Sequence, residues 1–346
     1  MAIEIFENSI VFTNGSSTYI LKEETGGFSL TGKLSTSNIN YLFMGNSYGF
    51  VSGGLSPIIN SIDGFPFASD AVTTVSAGTL TLVRGTAAGQ SSATHGYTSG
   101  GSDPLAPNSN TVDRFPFSTT TTATDVGDLT TGRRRPAGNS SPTAGYTSGG
   151  GTPSEVDTLS KFSFASDTTH SNIGTLSAAR VGLAGQSSID NGFTSGGQNP
   201  SPGISNVIDK FPFATDTNAS DVGDLTVSRY DVTGNSSLTH GYTSGGYSGS
   251  PFPSPGVNVI DKFPFASNVN ASDVGDINAG LNSEAVGMSG QSSNSFGYIS
   301  GGLRGPAFGS LSSATTISRF PFASDSNGFD IGNLGVAKQY TTGQQV

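Results

Sequence analysis

The 346-residue chain has no cysteine and no tryptophan, only three methionines and three histidines, and 12% charged residues. Without cysteine there is neither a disulfide framework nor thiolate chemistry, and a copper centre built on a Tyr–Cys crosslink is excluded. Long apolar runs are missing too, since no stretch approaches the roughly 20 residues a membrane-spanning helix needs. The opening Met1-Ala2-Ile3-Glu4-Ile5-Phe6-Glu7 puts acidic residues where a secretory leader carries basic ones, so no signal peptide is expected. Positive charge is scarce. Fifteen Lys and Arg stand against 25 Asp and Glu, a formal net charge of −10, which disfavours nucleic acid as a partner because phosphate binding rests on basic patches.

Glycine and proline are plentiful, at 49 and 17, and Ser, Thr, Asn and Asp fill most of the remaining sequence. These residues offer the backbone turns and competing hydrogen bonds, which argues against helices. A chain so polar could fail to build a core, but its 22 Phe stand in fixed registers. Glycine pairs fall at Gly53-Gly54, Gly100-Gly101, Gly149-Gly150, Gly196-Gly197, Gly245-Gly246 and Gly301-Gly302, spaced 47, 49, 47, 49 and 56 residues apart. A second marker follows each pair. It reads Phe-Pro-Phe at 65–67, 115–117, 211–213, 263–265 and 320–322, with Phe162-Ser163-Phe164 as the variant.

Six copies of both markers define six units, each divisible into four strands. In the fifth, strands are expected at 231–237, 240–244, 258–263 and 271–277. Four strands in about 50 residues is the size of one propeller blade. The expected fold is therefore all-β, a six-bladed β-propeller over residues 46–346. Proline cannot donate to a sheet ladder, so Phe-Pro-Phe belongs where the third strand leaves for the outermost one. Its Phe side chains then pack between neighbouring blades.

The last residues, 340–346, read as a first strand with no remainder, whereas the first unit starts at Asn46-Ser47-Tyr48-Gly49-Phe50 without such a strand. Joining the two completes a blade, so residues 338–346 are expected to pair with 48–54 and close the propeller, removing its open edges. A competing assignment puts Tyr41 to Met44 in that inner position. Residues 1–45 match no repeat and read as a short N-terminal β-arm with strands at 3–6, 9–12, 18–21 and 40–44, suited to anchoring or oligomerisation.

The glycine pair ending strand two, and a cation near the end of strand four, resemble the kelch propeller repeat. That cation is Arg84, Arg133, Arg180, Arg229 and Lys338, with Leu281 as the departure, and the Trp usual in kelch repeats is absent. The strings Phe-Pro-Phe-Ala-Ser-Asp, Ala-Ser-Asp-Val-Gly-Asp-Leu-Thr and Thr-His-Gly-Tyr-Thr-Ser-Gly-Gly look like repeat proteins of tailed bacteriophages, notably those of marine cyanobacteria. The opening Ile-Glu-Ile-Phe-Glu-Asn-Ser-Ile and the later Leu-Lys-Glu-Glu-Thr-Gly-Gly fit the same group. This resemblance implies a non-enzymatic structural protein of the virion, in a fibre, neck or tail appendage. Its partners would be other virion proteins and further copies of itself, with no cofactor and no membrane insertion. A lectin-like adhesin that binds host surface glycan or protein is the alternative.

Catalytic and metal chemistry find little support. His95 and His240 occupy equivalent positions that hold Ala144, Asn191 or Phe296 in other units, so the position serves packing. His170 sits in a Thr-Thr-His-Ser turn without a second ligand at metal spacing. The Asp-Val-Gly-Asp runs at 125–128, 221–224 and 273–276 lack the dense carboxylates of a calcium loop, and Asn172-Ile173-Gly174-Thr175 replaces them in the third unit, which favours turn capping. The recurring cations suit bonds to loop carbonyls or Asp partners. Partner binding is expected where the repeats differ, in the loops 102–110, 198–205, 247–256 and 303–313. Candidate contact residues are Arg134 and Arg135, which interrupt the cation pattern, with Tyr247, Phe252, Arg304 and Phe308.

Overall fold

A computed structural model describes the chain except for residues 1, 7–8, 15–16, 25–26, 36–44, 70–71, 104, 167–169, 201–202, 250–255, 278–283 and 306–310. The described residues form strands, turns and bridges, with no helix. The chain divides into two compact units, Met1–Leu42 and Phe43–Val346.

The first unit is an antiparallel meander of Ala2–Phe6, Ser9–Asn14, Ser17–Glu24 and Gly27–Ser35, paired in sequence order. No strand is expected from the sequence at Gly27–Ser35, where glycine signals a turn, yet this is the longest strand of the unit. The alternation of Phe28, Leu30, Gly32 and Leu34 carries the strand period, and Gly32 in its middle hides it. The expected strand at 40–44, and with it the competing placement of Tyr41 to Met44, lies outside the described residues.

The second unit is a propeller-like set of antiparallel sheets. Among the described residues six sheets share a four-stranded plan, shown by the fifth: Thr233–Ser236, His240–Ser244, Val259–Pro264 and Ser272–Asp276, in that order. In the first sheet the innermost place is held by Thr342–Gln345, which pairs antiparallel with Tyr48–Gly54 in the register Thr342↔Ser52 and Gln344↔Phe50. Bringing these residues together from opposite ends of the sequence is the pairing expected for 338–346 with 48–54.

Five of the six third strands end on the marker proline, as in Val207–Pro212 and Thr316–Pro321, so the missing N–H falls at the strand terminus, and Thr158–Ser163 ends on Ser163 in the same place. The two Phe of one sheet clasp an aromatic of the sheet before it. Phe115 and Phe117 hold Phe50, Phe162 and Phe164 hold Tyr97, and Phe211 and Phe213 hold Tyr146. Phe263 and Phe265 hold Phe193, Phe320 and Phe322 hold Tyr242, and Phe65 and Phe67 hold Tyr298. The stacked member of each set has a centroid separation of 4.5 to 4.9 Å. Such pairs contribute about 1 kcal/mol each beyond the area they bury. Core and inter-sheet contact are thus the same residues.

The innermost strands meet through glycine. A Cβ at Gly138 would collide with the carbonyl oxygen of Gly89, at Gly185 with that of Gly138, at Gly234 with that of Gly185 and at Gly290 with that of Gly234. Gly343 stands in the same relation to Gly290, and Gly89 to Gly343. The next residue along is always an amide, buried and directed across the sheet boundary. Gln90 donates to the Tyr146 carbonyl at 3.0 Å, Asn139 to Gln186 and Phe193, and Gln186 to Tyr242. Asn235 donates to Gln291 and Tyr298, Gln291 to Phe50, and Gln344 to Tyr97. Buried carbonyls at the sheet boundaries are thereby satisfied without water.

Candidate functional site

The recurring cations are buried. Arg84 meets Asp113 at 3.2 Å and Arg229 meets Asp261 at 3.0 Å, with every side chain 0% exposed. Arg180 pairs with Asp209, and Lys338 with Asp63 at 2.7 Å. The carboxylates also accept from the backbone of a neighbouring link, as Asp113 does from Thr81 N–H at 2.9 Å and Asp261 from Thr226 N–H at 2.9 Å. Arg133 has no carboxylate. It donates to the carbonyls of Gly149 and Thr158 and to the Ser160 hydroxyl, and burial lowers its guanidinium to about 10. These groups are bonded inside the scaffold, although Nε of Arg84, Arg133, Arg180 and Arg229 is left without a partner, and breaking one partner of a buried pair costs about 3–5 kcal/mol.

The glycine pair is tied to the same place. The second glycine donates to the carbonyl of the cation, from Gly101 to Arg133 at 2.8 Å and from Gly197 to Arg229 at 2.8 Å. The first has φ near +65° and so close an approach to that carbonyl that a Cβ at Gly149 or Gly196 would lie 2.6 Å from its oxygen. In the fifth unit Gly246 donates instead to Ala285, so the cation slot is Ala285 and not Leu281, which lies outside the described residues. Arg304 fills the vacancy from the loop. Its guanidinium donates to Gly301 and Ile299 carbonyls at 3.1 Å and to Ser318 Oγ at 2.7 Å, the counterparts of the groups held by Arg133 and Arg84.

Two residues past the cation slot the backbone turns left-handed, with φ of 57° at Thr86, 51° at Arg135, 70° at Gly182, 55° at Asp231, 61° at Gly287 and 52° at Tyr340. Here N–H groups donate from sheet to sheet: Thr86 to Tyr340 at 2.8 Å, Arg135 to Thr86 at 2.7 Å and Gly182 to Arg135 at 3.0 Å. Asp231 donates to Gly182 at 2.7 Å, Gly287 to Asp231 at 3.1 Å and Tyr340 to Gly287 at 2.6 Å. Glycine suits this conformation, and an L-residue costs about 1 kcal/mol in it. Four of the six positions nevertheless carry side chains.

Three of those side chains converge. Arg135 Nη1 lies 3.3 Å from Asp231 Oδ2, the Tyr340 hydroxyl donates to the same oxygen at 3.1 Å, and the Arg135 guanidinium stands 5.0 Å over the Tyr340 ring. The small residues between them leave room. A Cβ at Gly182 would lie 2.6 Å from Asp231 Oδ1, and one at Gly287 2.9 Å from the Tyr340 ring. Burial pushes the Asp231 carboxyl up and Arg135 opposes it, while the carboxylate raises Arg135 in return. Burial also pushes the Tyr340 phenol well up. The trio lines a cavity of about 130 Å³ above the glycine contacts.

Of the residues expected at a partner surface, Arg135 therefore belongs to this cluster. Arg134 reaches Asn108 Oδ1 and the Pro153 carbonyl, both at 3.1 Å, between two loops. Tyr247 is 3% exposed and packs with Tyr230 and Val286, and Arg304 is turned inward as described. Phe252 and Phe308 lie outside the described residues. Asp231, Tyr340 and Thr86 were not singled out by the sequence, although the signal was there: with Arg135 they are four non-glycine residues in a slot that Gly182 and Gly287 also fill. His95 and His240 share their Nδ1 with the Thr94 and Thr239 hydroxyls at 2.8 Å. His170 is buried against Phe162 at 4.5 Å, and burial lowers it to about 3. Asp125, Asp221 and Asp273 accept from Gly127, Gly223 and Gly275, which is turn capping. Among the described residues no group of three or more His, Asp and Glu is placed to hold a metal, and no helix is long and apolar enough to cross a membrane.

No family model matches the chain, and no curated protein does. Among solved structures, that of YjhT superposes with a TM-score of 0.60 at 11% identity, over 75% of this chain and 86% of that one. The likeness is one of fold.

Proposed function

We propose that the chain is a non-enzymatic structural protein of a phage virion, part of a fibre, neck or tail appendage. Its second unit would be a closed six-bladed propeller serving as a rigid platform for a protein or receptor, with residues 1–45 as the anchoring arm. Closure is supported by the backbone bonds that run from Thr86 through each sheet and return to it from Arg135. The observation that carries the platform reading is the division of labour among polar residues. Those that recur are bonded inside the scaffold, while Arg134, Arg135, Asp231 and Tyr340, which depart from the repeat, stand in the links beside the 2–3 loops. Bridges such as Arg134↔Gly151 and Tyr230↔Tyr247 join links and loops on that face. The virion assignment rests on the sequence strings resembling phage repeat proteins. Mass spectrometry of purified particles tests it: a fixed stoichiometry is expected, and absence from the particle overturns it.

A second reading, an adhesin for cell-surface glycan, is favoured by one observation, the Arg135–Asp231–Tyr340 cluster. Side chains placed where the backbone asks for glycine mark sites where function outweighs local stability.

A further inference from the structure

We propose that the cavity beside Arg135 and Asp231 is a saccharide subsite that takes one vicinal diol, Asp231 Oδ1 accepting from one hydroxyl and Arg135 donating to the other. This deepens the glycan reading and rests on it.

The carboxylate is the starting point. Asp231 is 2% exposed at its side chain, and both of its bonds, from Arg135 and Tyr340, fall on Oδ2. Its Oδ1 accepts nothing among the described residues and is not sealed from solvent, and Asp231 lines the cavity. A carboxylate oxygen with no protein donor at a cavity wall takes its hydrogen bond from water or from a ligand. Arg135 lies alongside with its side chain 32% exposed, and its guanidinium has further N–H groups beyond the one facing Asp231.

The charges narrow the ligand. Arg135 and Asp231 neutralise each other, so an ammonium gains at the carboxylate and loses at the guanidinium, and an anion does the reverse. A neutral group with a donor and an acceptor side by side satisfies both, and adjacent hydroxyls of a sugar are such a group. The Tyr340 ring is covered by Arg135 on one side and crowded by Gly287 on another, so recognition runs through hydroxyls and not through stacking. A volume of about 130 Å³, open to solvent, takes one edge of a sugar ring.

The test is saturation-transfer NMR on the full chain with glucose, galactose, mannose and fucose, and with methylammonium and acetate as charged probes. At least one sugar should saturate in the millimolar range. Its affinity should fall tenfold or more in Asp231→Asn and in Arg135→Gln and stay unchanged in Lys262→Gln, which loses only a surface contact with Asp325. Folding of each variant is checked by thermal melting, and if Asp231→Asn does not fold, Arg135→Gln decides. Sugar binding retained by folded Arg135→Gln overturns the subsite while leaving glycan binding elsewhere on the chain intact. No saturable sugar overturns both, and saturation by methylammonium or acetate in preference to every sugar overturns the neutral-diol assignment.

Discussion

Two adjacent levels of the inner strands obey opposite rules. At Gly89, Gly138, Gly185, Gly234, Gly290 and Gly343 the residue is invariant across the repeat, although the backbone there is extended and any residue could adopt it; what is lacking is space. Three residues upstream the backbone is left-handed at all six positions and glycine would be easiest, yet Thr86, Arg135, Asp231 and Tyr340 occupy four of them. Within one repeat, contact between backbones is enforced more strictly than backbone conformation. The conformational cost, about 1 kcal/mol per residue, can be accepted where a side chain has work to do. A collision between main chains has no such remedy.

The first prediction strikes the strict level. Gly185→Ala drives a methyl into the backbone carbonyl of Gly138, with Asn139 Nδ2 3.3 Å from the new Cβ. A loss of at least about 3 kcal/mol in urea unfolding is expected, as for severe overpacking. Deleting residues 340–346 belongs with it, since that removes the strand paired to Tyr48–Gly54 and the Gln344 amide that satisfies Tyr97. An unchanged melting curve for either variant would show that the inner contacts do not hold the sheets together.

Next in size is the borrowed cation. Arg304→Ala leaves the Gly301 and Ile299 carbonyls without their donor, and a loss of about 2–4 kcal/mol is expected. Adding Ala285→Arg restores the repeat's own cation at the end of the fifth unit and should recover part of the loss. If Arg304→Ala is neutral and instead weakens a binding partner, its role is at the surface and not in the scaffold.

Histidine supplies a pH test of the same comparison, because His170 stands where Ala123, Ala219 and Ala271 make the equivalent backbone bond to the preceding sheet. Its folded-state value is about 3 against 6.5 in the unfolded chain. Between those values the unfolded chain binds the proton and the folded one does not. Stability is therefore full above pH 6.5 and declines as pH falls toward 3, by up to about 1.4 kcal/mol per unit. Measured between pH 7 and 5, His170→Ala should flatten that slope; an unaltered slope would mean the imidazole is solvated.

How much of this could be read from the sequence follows the same division. The six glycine pairs, the Phe-Pro-Phe exits and the pairing of 338–346 with 48–54 are periodic, and periodicity reports on backbone and packing. Leu281 is a misplaced departure because spacing alone cannot see that the end of the fifth unit carries an insertion, whereas the bond from Gly246 identifies Ala285. Tyr247 and Arg304 looked like surface anchors because they lie in variable loops, yet a loop can fold its largest side chain inward. Asp231 and Tyr340 come from units separated by 109 positions, and no local pattern announces that the two side chains share Oδ2.

The smallest effect is expected at Thr86, and it isolates what the left-handed level contributes without its cluster. Thr86→Gly relieves a β-branched residue of φ 57° but forfeits the 3.0 Å contact of its hydroxyl with Ser102 and adds freedom to the unfolded chain. These terms, each about 1 kcal/mol, oppose one another. The net change in unfolding free energy should stay within about 1 kcal/mol, several times less than for Gly185→Ala. A loss above about 2 kcal/mol would show that Thr86, like its three neighbours in the slot, is held there for its side chain, and the left-handed slot would then have to be treated as four residues acting together.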